Sequence, residues 1–239
     1  MSGGIWTAAS GATNQLMELD TAANNLANVN TTAYRGQHAV FKSMLAQAKE
    51  GGESQGVTIE RIGVNTTSGA ITQTRGPLDV AIRNDGYFMV QAPQGERYTR
   101  AGNFELAKDG TLQTKDGLQV LDEGHSPIRV PRDGSEIHIN QDGSILQKNQ
   151  VVGKIGTVRF PEASKVLAHD GGNLLRSSAA PETCKTDLEV GALESSNVSA
   201  VRGMVNVISA TRAFEACEKA IEAFKQADAR AATAIMGKE

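Results

Sequence analysis

The stretch Ile5–Val29 reads IWTAASGATNQLMELDTAANNLANV, and its apolar residues Ile5, Ala9, Ala12, Leu16, Leu19, Ala23 and Leu26 alternate spacings of four and three. That is the seam of an amphipathic helix. Nearly half of the seam is alanine, which lets a second helix approach closely but buries little apolar area. At 1.5 Å per residue the helix would be about 37 Å long. Such a helix is marginal in water by itself, so it needs a partner. Asn24, Asn25, Asn28 and Asn30 crowd its end. Asparagine caps and turns better than it propagates a helix. The cluster is either a fraying C-terminus or a set of hydrogen-bonding groups aimed at a neighbour.

The partner's signal is at the other end of the chain. Val201, Met204, Ile208, Thr211, Phe214, Cys217, Ile221, Phe224, Ala231 and Ile235 follow the same three/four spacing, with Asp228 as the polar interruption. Ser195, Ser196 and Asn197 offer caps before it. A helix over Ser196–Met236 would be about 60 Å long, a length typical of coiled coils and helical arrays. Gly203 within it costs about 1 kcal/mol relative to alanine.

Between these ends the sequence changes character. All 6 prolines lie between Pro77 and Pro181. Asp-Gly pairs recur at 85–86, 109–110, 116–117, 133–134, 142–143 and 170–171, the chemistry of tight hairpin turns. Short apolar or alternating runs separate them: Leu78–Arg83, Tyr87–Gln91, Gly117–Leu121, Glu136–Asn140 and Gly156–Phe160. The segment Phe41–Ala48 reads as a short helix and Lys49–Gly56 as a flexible loop. The fold class expected is therefore α+β: terminal helices forming a coiled-coil domain, with a central antiparallel β-rich domain looped out between them. The boundaries expected are 1–36 for the N-terminal helix, 37–76 for a linker, 77–187 for the β domain and 188–239 for the C-terminal helix. The helices differ in length, so a simple pair leaves apolar surface for other subunits in an open assembly.

Composition narrows the function. The chain has 239 residues, 24 Lys+Arg against 27 Asp+Glu and a net charge of -3. No basic excess exists to hold nucleic acid. The N-terminus lacks the basic and apolar regions of a cleavable signal, and no apolar run reaches the ~20 residues of a membrane span. Cys184 and Cys217 have no metal spacing; Cys217 reads as a small seam residue, and a bridge between the two stays open. His38, His125, His138 and His169 form no ligand pair. No phosphate cradle or serine-nucleophile motif occurs. The sequence thus nominates no catalytic, cofactor or metal residue. Two other classes compete: a coiled-coil-tethered binding module, which 4% aromatic residues disfavour, and a glycan-cleaving enzyme, whose paired carboxylates would leave no sequence trace.

Specific blocks carry a family likeness. Ala23–Arg35 (ANNLANVNTTAYR), Pro77–Val90, Tyr98–Phe104, Asp109–Leu112, Glu194–Val198 and Ile208–Glu215 resemble, in order, the signatures of the bacterial flagellar rod and hook proteins. Within that family the short length and the stretch Ser126–Pro131, followed by Gly134–Ile137, are most similar to proximal-rod subunits, with distal-rod subunits close behind. The resemblance implies a non-enzymatic subunit of the flagellar basal body that transmits torque. It implies self-association or assembly with other rod and hook axial proteins into a helical tube, the terminal helices forming its inner layer. It also implies export through the flagellar type III apparatus without signal cleavage, by a chain whose ends order only on assembly. The residues expected at subunit interfaces are Leu19, Asn24, Asn25, Leu26, Asn28, Val29, Asn30, Asn197, Val198, Ile208, Phe214, Ile221 and Phe224. Two departures from the family pattern stand out: Arg202-Gly203 where acidic residues are common, and Ala33 where glycine is common.

Overall fold

The computed structural model describes residues 2–45, 55–131 and 135–236. It divides into two compact units, Met1–Ala27 with Gln37–Gly63 and Ser199–Glu239, and Asn28–Gly36 with Val64–Val198.

The first unit holds two long helices, α1 (Ser2–Ala27) and, after a single turn α2 (Ala163–Val166) in the other unit, α3 (Ala200–Met236). α1 and α3 run antiparallel, and small residues set their spacing. A side chain at Gly4 would meet the Phe224 ring at 3.0 Å, one at Gly11 would meet Cys217 Sγ at 3.7 Å, and one at Gly203 would meet Leu26 Cδ1 at 3.4 Å. The expected pairing of the terminal helices is thus observed, with glycine and alanine at its centre. Both cysteines are free. Two strands, β1 (Gln37–Leu45) and β2 (Gln55–Val64), form a separate ribbon beside the helices. The helix expected at Phe41–Ala48 is corrected as far as it is described: 41–45 extend β1, where β2 supplies the ladder hydrogen bonds and β-branched and aromatic residues suit a strand. Residues 46–54, covering most of the loop read at Lys49–Gly56, lie outside the described residues.

The second unit is built from short strands: β3 (Ile71–Gln73), β4 (Val80–Ile82), β5 (Tyr87–Ala92), β6 (Gly95–Thr99), β7 (Phe104–Leu106), β8 (Leu112–Thr114), β9 (Gln119–Val120), β10 (Ile137–Ile139), β11 (Ser144–Gln147), β12 (Gln150–Lys154), β13 (Thr157–Arg159), β14 (Leu167–His169), β15 (Leu175–Ser177), β16 (Glu182–Thr183), β17 (Leu188–Val190) and β18 (Ala192–Glu194). Every pairing with a defined register is antiparallel. The main sheet runs β14-β15-β6-β5-β9-β8-β7, with β13 also on β5. β5 is buried on both faces. Phe88 and Val90 enter a cluster with Phe104, Leu112, Ile145 and Leu188. Tyr87 and Met89 enter a second with Tyr98, Phe160 and Leu167. The period of two along a strand sends alternate side chains to opposite cores. Aromatic residues are therefore spent on packing, as in the edge contact of Phe88 with Phe104 at 5.1 Å.

The Asp-Gly turns behave as their chemistry requires. Gly110 and Gly143 take φ of +83° and +84°, where a side chain would be strained. Asp109 and Asp142 accept hydrogen bonds from the backbone and hydroxyl groups of Thr111 and Ser144. These bonds hold both carboxyls below their ordinary pKa. Asp133-Gly134 lies outside the described residues.

The helix ends differ from the sequence reading. α1 stops at Ala27 rather than Val29, and Asn28 turns the chain by accepting the Thr31 N–H at 3.1 Å and the Thr31 hydroxyl at 3.1 Å. α3 starts at Ala200 rather than Ser196. Residues 188–194, read as the approach to a helix, are β17 and β18, paired with β4 and β3. The units therefore exchange chain at 27/28, 36/37, 63/64 and 198/199, and the segment read as a linker is shared between them.

Close backbone approach fixes one more position. A side chain at Gly102 would sit 1.9 Å from the Val80 carbonyl oxygen, which belongs to the residue whose N–H donates to Gly102 O at 3.0 Å. Gly102→Ala is expected to destabilise the β unit by the upper end of about 1–3 kcal/mol, read as a lower urea midpoint. An unchanged midpoint would contradict the close approach.

Candidate functional site

Within the β unit, the segments that follow α1 and precede α3 are fastened to each other. Asn28–Gly36 crosses residues 194–197, and Ala33 N–H donates to Glu194 O at 2.8 Å. Ala33 holds φ of +55° while 1% exposed, a left-handed conformation that glycine adopts without strain. Asn197 uses its whole amide: Oδ1 accepts Gly36 N–H at 2.7 Å, and Nδ2 donates to Asn65 O at 3.0 Å and Thr67 O at 2.8 Å. Its backbone N–H reaches Tyr34 O at 3.2 Å.

Beneath this crossing lies a buried ion cluster. Glu194 is paired by Arg35 Nη2 at 2.9 Å and Arg100 Nε at 2.7 Å, with all three side chains 2% exposed or less. Gly69 N–H donates to Glu194 Oε1 at 2.8 Å. Arg100 also donates to the carbonyls of Asn84, Gly86 and Ile82 at 2.9, 2.7 and 3.0 Å, and its guanidinium lies 5.7 Å from the Tyr87 ring centroid. Arg35 donates to Thr67 O. Burial lowers the Arg35 pKa, Glu194 opposes this and Arg100 adds to it. Two buried cations thus depend on one carboxylate. None of the three was singled out from the sequence as a site. The available signal was that Arg35 and Glu194 stand at the edges of family blocks and Arg100 within one.

In the helical unit, Asn25 grips β1: its Nδ2 donates to Gln37 O at 2.8 Å and its Oδ1 accepts Gln37 N–H at 2.7 Å. Leu26 faces Gly203, and Phe224 faces Gly4. Leu19, Phe214 and Ile221 are half-buried, and Asn24 is exposed. Val29, Asn30 and Val198 belong to the β unit, where Asn30 is exposed and Val29 and Val198 are half-buried. Of the asparagines expected at the interface, Asn25, Asn28 and Asn197 therefore spend side-chain hydrogen bonds inside the chain.

Both helices expose large apolar side chains. On α3, Val201, Met204, Val205 and Ile208 are 74%, 54%, 56% and 53% exposed. On α1, Trp6 is 75% exposed and Leu16 and Met17 are 44% exposed. The buried face of α3 instead carries Gly203 and Ala210. No group of His, Cys, Asp and Glu suited to a metal occurs among the described residues, and no described helix is long and apolar enough to cross a membrane.

A locked β unit and a thin, small-residue helix pair with an exposed apolar stripe define a class: a structural subunit made for assembly. Comparison with known proteins gives the family. Residues 5–35 match the family described as flagella basal body rod protein, 81–147 the D1 domain of flagellar hook protein FlgE/F/G, and 189–234 the C-terminal region of flagellar basal body rod FlgEFG proteins. The chain is 36% identical to the basal-body rod protein FlgG of Bacillus subtilis, over 91% of this chain and 93% of that one. It is 37% identical to FlgF of Caulobacter vibrioides over 86% of each, and 34% identical to FlgF of Salmonella typhimurium over 97% of each. The chain belongs to the flagellar basal-body rod protein family and is a structural, non-enzymatic component of the rod.

Proposed function

We propose that this chain is a proximal-rod subunit, of the FlgF kind, which joins other axial rod and hook proteins in a helical, torque-transmitting tube. The observation that carries the assembly reading is the exposed apolar stripe of the helix pair. Val201, Met204, Val205 and Ile208 form one stripe at helical spacing on α3, and each such side chain gains about 1.5–3 kcal/mol when covered. Neighbouring axial subunits are the cover. Of the residues nominated for the interface, Asn24, Asn30, Ile208 and Phe224 are exposed, and Leu19, Val29, Val198, Phe214 and Ile221 are half-buried. Asn25, Leu26, Asn28 and Asn197 act instead by shaping the subunit.

The proximal reading follows the FlgF relatives, of which the Salmonella protein aligns over 97% of each chain. FlgG, the distal-rod reading, is kept as the alternative by the 36% identity with the Bacillus protein. Delivery runs through the flagellar export apparatus without cleavage, the thin helix pair yielding readily to unfolding. The position is tested by locating the chain in a density map of isolated basal bodies. Density at the membrane-proximal end of the rod is expected; density in the distal segment would assign the chain to the FlgG kind.

A further inference from the structure

His169, at the end of β14, is an unusual histidine. Neither ring nitrogen is exposed, and neither makes a hydrogen bond of normal geometry. The ring lies against Tyr34, with centroids 5.2 Å apart. Tyr34 is itself 1% exposed and belongs to the segment that leaves α1. The loop that follows His169 covers the same segment: Asn173 Nδ2 donates to Thr32 O at 3.2 Å, and Asn173 O accepts the Thr99 hydroxyl at 3.1 Å. Histidine and loop together hold 32–35 in place.

A neutral imidazole fits this position and a charged one does not. With both ring nitrogens shut off from solvent, an imidazolium there faces only the backbone of Arg35 and Gly172 and has no counter-charge beside it among the described residues. The charged groups on the surrounding elements are committed elsewhere. Arg35 pairs with Glu194, and Asp170 pairs with Arg97 of β6. Arg176 on β15 is exposed, on the residue beside His169's strand partner Leu175. Tyr34 cannot supply an anion, because burial pushes its hydroxyl up to about 12.

We propose that His169 is an acid-sensitive latch: protonation expels its ring from Tyr34 and releases the segment that roots α1 in the β unit. Burial lowers the His169 pKa and outweighs the backbone of Arg35 and Gly172, which favours the charged ring. A depressed histidine pKa contributes stability that is complete above about pH 6.5 and is lost as pH falls toward the folded-state value.

The test compares the full chain with His169→Phe, which keeps an aromatic ring on Tyr34 and cannot titrate. On moving from pH 7.5 to 5.5, the wild type should lose more Tm than the variant. Its amides at 32–36 should gain exchange, corrected for intrinsic pH dependence, while those of the variant do not. Equal losses in both proteins would overturn the latch. Should the variant fold poorly, the imidazole is titrated by NMR in the wild type. Titration of His169 at an ordinary histidine value in the folded protein overturns the proposal; its remaining neutral until the 32–36 resonances shift supports it.

Discussion

Glu194→Ala should destabilise the β unit by about 3–5 kcal/mol, the usual loss when one partner of a buried ion pair is removed. The reason is asymmetric. Arg35 and Arg100 are both 2% exposed and share this one carboxylate. Removing it leaves two adjacent buried guanidiniums without the carboxylate that pairs them. It also strips the Gly69 N–H of its acceptor. A domain of ordinary stability holds about 5–15 kcal/mol, so the variant should be marginal, and urea unfolding followed by circular dichroism measures the loss.

Two further variants apportion the effect. Glu194→Gln keeps an oxygen for Gly69 and removes the charge, so its loss isolates the electrostatic part. Arg100→Leu leaves Glu194 paired with Arg35, and its effect should fall below that of Glu194→Ala. It still exceeds a surface change, because the carbonyls of Asn84, Gly86 and Ile82 lose their donor. If Glu194→Ala shifted the midpoint no more than a surface substitution, within about 0.5 kcal/mol, the cluster would not hold the unit together. The cluster matters to function through its place in the chain. Glu194 lies 6 residues before α3 begins and Arg35 lies 8 after α1 ends. Both residues therefore stand close to points where the chain passes between the two units.

The architecture was legible where signals are local. Asp-Gly pairs, the confinement of proline and the long three/four periodicities each act within a few residues. They located two helices and strands such as Tyr87–Ala92 and Ile137–Ile139 closely. The ion cluster was not legible, because Arg35, Arg100 and Glu194 are brought together by strand pairing across the whole β unit. A single sequence does not encode which strand lies beside which. β1 was misread because its hydrogen bonds come from β2, beyond the reach of a local pattern. The stripe on α3 was legible as a pattern, but not which of its residues meet α1. Periodicity places Val201, Met204 and Ile208 on one face of the helix without saying what covers that face. In a closely spaced pair the inside needs small residues, so Gly203 and Ala210 are buried and the large ones face out.

That inversion yields the second large effect. Val205→Glu combined with Ile208→Glu should abolish swimming and leave isolated basal bodies without a complete rod, while the purified subunit keeps its stability to within about 0.5 kcal/mol. Both positions are more than half exposed. Glutamate propagates a helix at least as well as valine or isoleucine, so the subunit itself has no reason to unfold. In the assembly, each lost apolar contact and each carboxylate forced out of water oppose incorporation. A net loss of about 3 kcal/mol per subunit weakens each addition roughly a hundredfold. The loss recurs at every copy. The discriminating control is Ala210→Glu, which places the same charge on the buried face of α3 and should disrupt the helix pair in the isolated subunit. Leu26→Asp belongs with that control, since Leu26 faces Gly203 within the chain. Swimming by the Val205/Ile208 variant at normal speed would mean that the stripe meets no neighbour. Failure of both the stripe variant and the control to assemble, with only the control losing helix as a monomer, separates a surface made for neighbours from a seam made for the chain's own fold.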